Sequence, residues 1–426
     1  MTTSDPGAAV GGSTFGAPTS AYVWVWLPGA TEPVVAGRLD AVGDVFMFAY
    51  GRSYRERADS VSLYLPELPL RPGRIRPPAG LWVAGCLKDA GPDAWGQRVI
   101  LARRTGGLTR NSDTADLGLL TYLLESGSDR IGALDFQASA RTYVPRTAAA
   151  TLAELQTAAE RLEHGEPLSP ALDAALLRGT SIGGARPKAL VDDGDRRLIA
   201  KFSSTTDPYP VVKSEGVAMV LARRVGLDVA GTEVTTSLGK DVLLVERFDR
   251  TSVPGQRRML VSALTMLGLD EMMGRYATYP DIADLVRARF TDPVATLREL
   301  FARIVFNICV GNTDDHARNH AAFWDGTSLT LAPAYDLCPQ PRSGGEAAQA
   351  MAIGRNGERH SRLGACVDAA EVYLLTRGDA ADIVDEQVTL INEQWDEATD
   401  AALLTKLERR QLWHRQILNP SIHAES

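Results

Sequence analysis

The sequence predicts an α+β protein in which a small β-rich lobe precedes a larger helical one. Three observations carry this. Short runs rich in β-branched and aromatic residues, joined by Gly, Pro and Asp, fill the chain from Tyr22. Between about 178 and 250, a Gly-rich turn, a strand, a helix and a further strand follow one another. Beyond about 260 the apolar spacing is mostly helical.

The bulk numbers exclude several classes. At 426 residues the chain is too long for one simple core, so two or three domains are expected. Its 45% hydrophobic and 23% charged residues are ordinary for a soluble protein. A net charge of −8 argues against broad nucleic-acid binding, although "RPGRIRPP" at 71–78 is a local basic patch. Cys86, Cys309, Cys338 and Cys366 lie far apart with no C-x-x-C pair, which fits a reducing compartment and neither a zinc ribbon nor a disulfide scaffold. No apolar run approaches 18 residues; the best, "ARIVFNICVG", carries Arg303 and reads as a buried helix. The first 20 residues lack a basic and apolar leader and have the Gly/Ser/Thr/Pro/Ala bias of a disordered tail. A cytoplasmic protein with no membrane partner is expected.

The elements follow in order. "YVWVWLPG", "VVAGRLD", "VFMFAY" and "VSLYLP" read as strands. "GPDAWGQRVILARR" and "TADLGLLTYLLES" have helical spacing, with Asp93 and Asp113 near their N-termini, and "SDRIGALDF" returns to an extended run. Residues 148–166 form an amphipathic helix between Pro145 and Gly165. "TSIGGARPKALV" is a Gly-rich turn, "RRLIAKFS" a strand after a "DDGD" turn, 213–225 a helix and "DVLLVERFD" a strand. "LRELFARIVFNICVG" places Leu297, Leu300, Phe301, Ile304, Val305 and Ile308 on one buried helical face that ends at Gly311. "AAFWDGTSLTLAPAYD" reads as a hairpin about Asp325-Gly326 that returns the chain to Asp336.

Three constellations could carry chemistry. In "SIGGARPK", Gly183 and Gly184 let backbone N–H groups approach an anion and Lys188 adds a point charge; a plain hairpin turn with a surface lysine accounts for the stretch equally well. Lys201 alternates with apolar neighbours on its strand, where a lysine either snorkels at an edge or points into a site; Glu215 follows on the next helix, and the two form either an ordinary lysine–glutamate pair or the arrangement that grips phosphates in protein kinases. In "GNTDDHARNH", Asp314 and Asn319 have the Asp-x-x-x-x-Asn spacing of a kinase catalytic loop, and Asp336 supplies a further carboxylate suited to Mg²⁺. His316 and His320 have the i, i+4 spacing of a helical zinc site, but Ala317 stands where that motif needs Glu. A polar loop in which Asp314 and Asn319 only satisfy backbone groups is the bland alternative. The order of glycines, strand lysine, helix glutamate, Asp-x-x-x-x-Asn and Asp is the strong signal.

With "SIGGARPKALV", "VERFDR" at 245–250, "GNTDDHARNH" and "LAPAYDL" at 331–337, the sequence resembles the HipA-type serine/threonine kinases of bacterial toxin–antitoxin systems. "GPDAWGQRVI" and "SDRIGALDF" are weaker matches, and the resemblance covers roughly residues 22–415. It implies a two-lobed, protein-kinase-like fold with ATP and Mg²⁺ between the lobes. The implied units are a tail over 1–20, a small β-rich N-terminal subdomain with part of the N-lobe over 21–145, the rest of the N-lobe with phosphate loop and hinge over 146–250, and a helical C-terminal lobe over 251–420. Carried over residue by residue, Asp314 is the base and Asn319 and Asp336 are the Mg²⁺ ligands. Lys201, paired with Glu215, grips the α/β-phosphates. Ser181, Ile182, Gly183, Gly184, Ala185 and Lys188 form the phosphate loop, with Ser181 the site of autophosphorylation. The backbone of Glu246 and Phe248 meets adenine, and His316 holds the loop shape near the phosphates. The implied partners are a HipB-like helix-turn-helix antitoxin, DNA only through that antitoxin, and a protein acceptor for which an aminoacyl-tRNA synthetase is the analogy. A small-molecule phosphotransferase and a non-catalytic antitoxin-binding subunit are the other readings.

Overall fold

Four strands near the N-terminus form an antiparallel sheet in the order β3-β2-β1-β4: β1 (Ser20–Val25), β2 (Val34–Val42), β3 (Val45–Tyr50) and, after a long excursion, β4 (Leu134–Gln137). The computed structural model describes residues 17–424 apart from 109–111, 148–149, 167, 181–185, 205–206 and 343. The expected tail thus falls almost wholly outside the described residues, and its last residue, Ser20, already begins β1. Alternation along the strands sends Leu39 and Phe48 into the core and Arg38 outward. "VSLYLP", expected as a strand, is irregular. Aromatic side chains take its backbone groups instead: the Tyr50 hydroxyl accepts from Leu63 N–H at 2.8 Å and Tyr54 Oη donates to the Val61 carbonyl at 2.8 Å, while Tyr50 Oη also donates to the carbonyl of Leu68, just beyond, at 2.7 Å.

Helix α1 (Ala94–Thr105) starts where expected, with Asp93 accepting from Gly96 N–H at 2.8 Å, and α2 (Leu152–Glu163) lies inside the expected 148–166 behind a Thr151/Glu154 capping box. A second antiparallel sheet has the order β5-β6-β8-β7, from β5 (Lys188–Asp193), β6 (Arg196–Phe202), β7 (Thr232–Ser237) and β8 (Lys240–Glu246). "KALV", expected in the Gly-rich turn, is therefore strand: it pairs across the "DDGD" turn with β6 and completes a hairpin. Helix α3 (Val211–Arg224) packs on β7 and β8 closely enough that Gly216 is required; a Cβ there would lie 2.5 Å from Val234 Cγ2. On the sheet's other side, Ala200, Phe202 and Val242 join Trp95 of α1 and Leu155 and Leu162 of α2 in a separate core.

The C-terminal lobe begins with β9 (Leu260–Ser262), α4 (Tyr279–Arg289) and α5 (Pro293–Val310), continues through β10 (Ala321–Trp324) and β11 (Leu329–Leu331), and includes the long α6 (Arg377–Ala401). The six apolar residues expected on one face of α5 are all buried, and the helix ends at Gly311 with φ +70°. A Cβ at Gly311 would meet the Gln416 carbonyl oxygen at 2.6 Å, so glycine answers both the turn and the close approach. The Asp325-Gly326 hairpin is present, with β9 pairing on the other edge of β10. This lobe is less helical than expected: residues 332–362 contain no helix and only isolated bridges among the described residues, a stretch interrupted by Pro333, Pro339, Pro341, Gly344 and Gly345. The main core runs unbroken from the N-terminal sheet through α3 and α5 to α6. No helix among the described residues is long and apolar enough to cross a membrane.

Candidate active site

The strand lysine, the helix glutamate and the carboxylate after the hairpin meet. Lys201 sits near the end of β6, opposite Lys188 on β5 and Leu243 on β8. Its Nζ lies 2.6 Å from Glu215 Oε1 of α3 and 2.6 Å from Asp336 Oδ1, tying the small lobe to the large one. The side chains of Lys201 and Glu215 are 15% and 4% exposed, whereas Asp336 is open at 46%. Burial alone would lower the lysine's pKa, but the two carboxylates overturn that and raise it; in return the Lys201 ammonium, against the cost of burial, pulls Asp336 down to about 2. Asp336 has φ +60°, a conformation a non-glycine residue holds only where its surroundings enforce it. Its second oxygen accepts from Asn319 Nδ2 at 2.9 Å. The other side-chain atom of Asn319, Oδ1, is buried with no hydrogen-bond partner among the described residues.

The loop after α5 alternates its side chains. Asp314, His316 and Arg318 are exposed, while Asp315, Ala317 and Asn319 are buried. Asp315 is the anchor: its Oδ2 accepts from Tyr279 Oη at 2.5 Å, Asn307 Nδ2 at 2.9 Å and His320 Nε2 at 2.8 Å. Burial would raise its pKa, but His320 and Tyr279 hold it below the usual value. Asp314 faces outward, and its carboxyl is raised by partial burial and by the neighbouring Asp336 and Asp315 charges, partly countered by His316. The loop is not helical, so His316 and His320 do not share a face; His320 is spent on Asp315, and no described group of His, Cys, Asp and Glu could hold a metal by itself. The His316 carbonyl accepts Asn319 N–H at 2.8 Å, and the exposed His316 ring makes no hydrogen bond among the described residues. Sequence reasoning missed Tyr279, Asn307 and His320 as the holders of this loop; the adjacent carboxylates of "DD" were the only signal.

The other expected residues are less uniform. Ser181, Ile182, Gly183, Gly184 and Ala185 lie outside the described residues. Lys188 is no surface lysine: it is 3% exposed and reaches Asp93 Oδ2 at 3.2 Å, at the N-terminus of α1. Glu246 is exposed, and its backbone N–H already donates to the Gly231 carbonyl at 2.7 Å. That bond removes it as a donor to any adenine and leaves only its carbonyl for such a role. The Phe248 ring packs on Phe323 and Tyr335, with centroids 6.0 and 5.6 Å apart. Arg247 and Asp249 of "VERFDR" are spent inside the protein, where Arg247 grips Asp249 at 2.7 and 2.9 Å and the Arg130 carbonyl at 2.6 Å.

Residues 180–395, just over half of the chain, match the family model of the HipA-like C-terminal domain. Among curated proteins, the serine/threonine-protein kinase toxin HipA of Shewanella oneidensis is 28% identical over 183 residues, 37% of this chain and 42% of that protein. The putative kinase Y4mE of Sinorhizobium fredii is 31% identical over 150 residues, 33% of each chain. A putative kinase of Haemophilus influenzae is 26% identical over 183 residues, 38% of this chain and 52% of its own length. The chain thus spans between a third and about a half of the curated relatives it matches. In three dimensions it is similar to a chain of the Shewanella oneidensis MR-1 HipA, HipB and operator DNA complex, with a TM-score of 0.65 and 19% identity over 95% of this chain and 100% of that one. The fold is therefore α+β and two-lobed, of the HipA type, as the order of motifs predicts. The chain belongs to the family defined by the HipA-like C-terminal domain.

Proposed function

We propose that the protein is an ATP- and Mg²⁺-dependent serine/threonine protein kinase of the HipA type, the toxin of a toxin–antitoxin pair. The observation that carries this reading is the convergence of Lys201, Glu215, Asn319 and Asp336 at the junction of two lobes, with Asp314 exposed on the same loop as Asn319. Lys201, oriented by Glu215, is placed to bind the α/β-phosphates. The orphaned, buried Oδ1 of Asn319 beside the open Asp336 carboxylate fits a hard cation, so these two residues would hold Mg²⁺. Bound there, the ion neutralises charge on the phosphates. Asp314 orients the acceptor hydroxyl and takes its proton on a carboxylate oxygen, a role its raised pKa suits. Ser181 is the proposed autophosphorylation site. A phosphate there would place about −1.5 to −2 charge where nucleotide phosphates bind, and so would switch the enzyme off.

The solved relative contains HipB and operator DNA, which supports a HipB-like antitoxin as partner, with DNA reached through it. The acceptor is a protein in the cytoplasm, and an aminoacyl-tRNA synthetase is the candidate to try first. The test is intact-protein mass after incubation with ATP and Mg²⁺, with Asp314→Asn alongside. One added phosphate on Ser181 in the wild type and none in the variant is the expected result. Absence of ATP binding by the unmodified protein sinks the proposal.

A further inference from the structure

We infer that Asp315, held by Tyr279, Asn307 and His320, is a positioning residue that fixes the direction in which Asp314 is presented. This rests on the kinase reading and names how that site is aimed. In a stretch where side chains alternate inward and outward, pinning one residue dictates where its neighbour points. Here the alternation runs without a break from Asp314 to Asn319. Its inward member Asp315 is 1% exposed, and one of its oxygens takes all three donors.

The donors come from separate parts of the large lobe. Tyr279 opens α4, Asn307 lies in the last turn of α5, and His320 ends the loop itself. Asn307 grips the loop twice more, since its Oδ1 accepts from Asn312 Nδ2 at 2.9 Å and its carbonyl from Asn312 N–H at 2.8 Å. The loop is thus tied at its first residue, at its middle and at its last. The tie reaches the far side as well, because the His320 carbonyl accepts Ala263 N–H at 2.8 Å and Ala317 accepts Leu264 N–H at 3.2 Å. Asp314 has none of these bonds and sits outward, next to the most constrained residue in the loop. A carboxylate satisfied by three donors resists rotation, so the backbone at 314–315 has one orientation. The Tyr279 phenol is the most telling of the three. It makes the shortest contact, and it lies on a different helix from Asn307.

Tyr279→Phe removes one donor and keeps the ring; Asp315→Asn keeps the shape and removes the charge. Tyr373→Phe is the control, because Tyr373 is a comparably buried phenol of the same lobe whose hydroxyl donates to the Ile353 carbonyl at 2.7 Å and not to the loop. The measurements are the initial rate of phosphate gain at saturating ATP, the ATP dissociation constant, and amide hydrogen exchange of peptide 311–320. Misplacing a reacting group by about 1 Å costs about a hundredfold in rate. Asp315→Asn is therefore expected to lose about that, and Tyr279→Phe about tenfold, with ATP affinity within about twofold of wild type. Exchange in 311–320 rises in both variants and stays at the wild-type level in Tyr373→Phe. If Tyr279→Phe loses no more rate than Tyr373→Phe and its loop exchanges as in wild type, the inference is overturned while the kinase reading stands. A wild-type protein that transfers no phosphate overturns the kinase reading, and the positioning role with it.

Discussion

Replacing Lys201 by methionine separates what the residue does for stability from what it does for nucleotide binding. The change keeps most of the apolar stem and removes the ammonium between Glu215 and Asp336. Removing one partner of a buried ion pair costs about 3–5 kcal/mol, because the other charge stays buried and unpaired. The Lys201 side chain is 15% exposed and Asp336 is open at 46%, so only Glu215, at 4%, is left stranded. The lower end, about 3 kcal/mol, is therefore expected. Replacing both partners of a buried pair with apolar groups is often neutral or stabilising, so Lys201→Met combined with Glu215→Leu should recover most of the loss. ATP affinity should not recover. A charge-assisted hydrogen bond contributes about 1.5–3 kcal/mol, which predicts about 10- to 100-fold weaker ATP binding in the single and the double variant alike. Urea midpoints measure the first quantity and titration with a fluorescent ATP analogue the second. A double variant as unstable as the single one would refute the stranded-carboxylate argument, and wild-type ATP affinity in either would remove Lys201 from the phosphates.

Two further outcomes follow from the ionisable groups. Because burial and nearby carboxylates raise the Asp314 pKa, and a base works only when deprotonated, the phosphoryl-transfer rate should fall with pH through a limb above the ordinary aspartate range; a rate–pH profile with its limb at or below that range contradicts the role. Arg247→Met should destabilise the protein by about 3 kcal/mol at neutral pH, since it strips a buried partner from Asp249. Arg247 and Arg250 hold Asp249 below its unfolded pKa despite burial, so that stability is fully present above the ordinary aspartate value and is lost as pH falls through the lower folded value; the gap between wild type and variant in urea midpoints should begin to narrow only below about pH 4 and go on narrowing as pH falls further.

What the sequence disclosed was local chemistry. The buried face of α5 and its stop at Gly311, the Asp-Gly hairpin, the Asp93 cap and the pairing of Lys201 with Glu215 all depend on residues a few turns apart, or on a side chain whose type permits few roles. The failures share a different cause. "VSLYLP" has strand composition, but two of its backbone groups are taken by Tyr50 and Tyr54, and no pattern inside the segment reveals that. Lys188 looked like a surface charge because its partner, Asp93, lies 95 residues earlier and serves also as a helix cap. Tyr279 carries no signal at all: a tyrosine at the start of a helix is unremarkable until the carboxylate it meets, 36 residues on, is known. Pairings made by the fold are invisible to spacing.

The same reasoning joins two segments that the sequence presents as separate. "VERFDR" and "SDRIGALDF" are one physical object. Asp249 of the first accepts Gly132 N–H of the second at 2.7 Å across 117 residues. Arg250 reaches Asp129 Oδ1 at 2.6 Å and the Arg130 carbonyl at 2.7 Å, and Arg247 shares that carbonyl. Around them Arg130 and Arg146 meet Asp135, and Arg257 lies over the Trp26 ring at 3.5 Å while donating to the Ser128 carbonyl. Five guanidinium groups thus face three carboxylates, and carbonyl oxygens with two aromatic faces, Trp26 under Arg257 and Phe136 under Arg130, take up the excess. Burying that much charge contributes little to net stability. It does make the geometry stiff, because each guanidinium is a planar fork whose donors can be satisfied in few orientations. The strand exit at Glu246, where the two lobes join, is therefore welded to the N-terminal sheet. Motion of the small lobe about the site must bend β5–β8 and α3 beyond that weld, and it is resisted there by the Lys201–Asp336 contact, by the hydrogen bond from Tyr209 Oη to the Pro339 carbonyl at 2.6 Å and by the packing of α3 against α6.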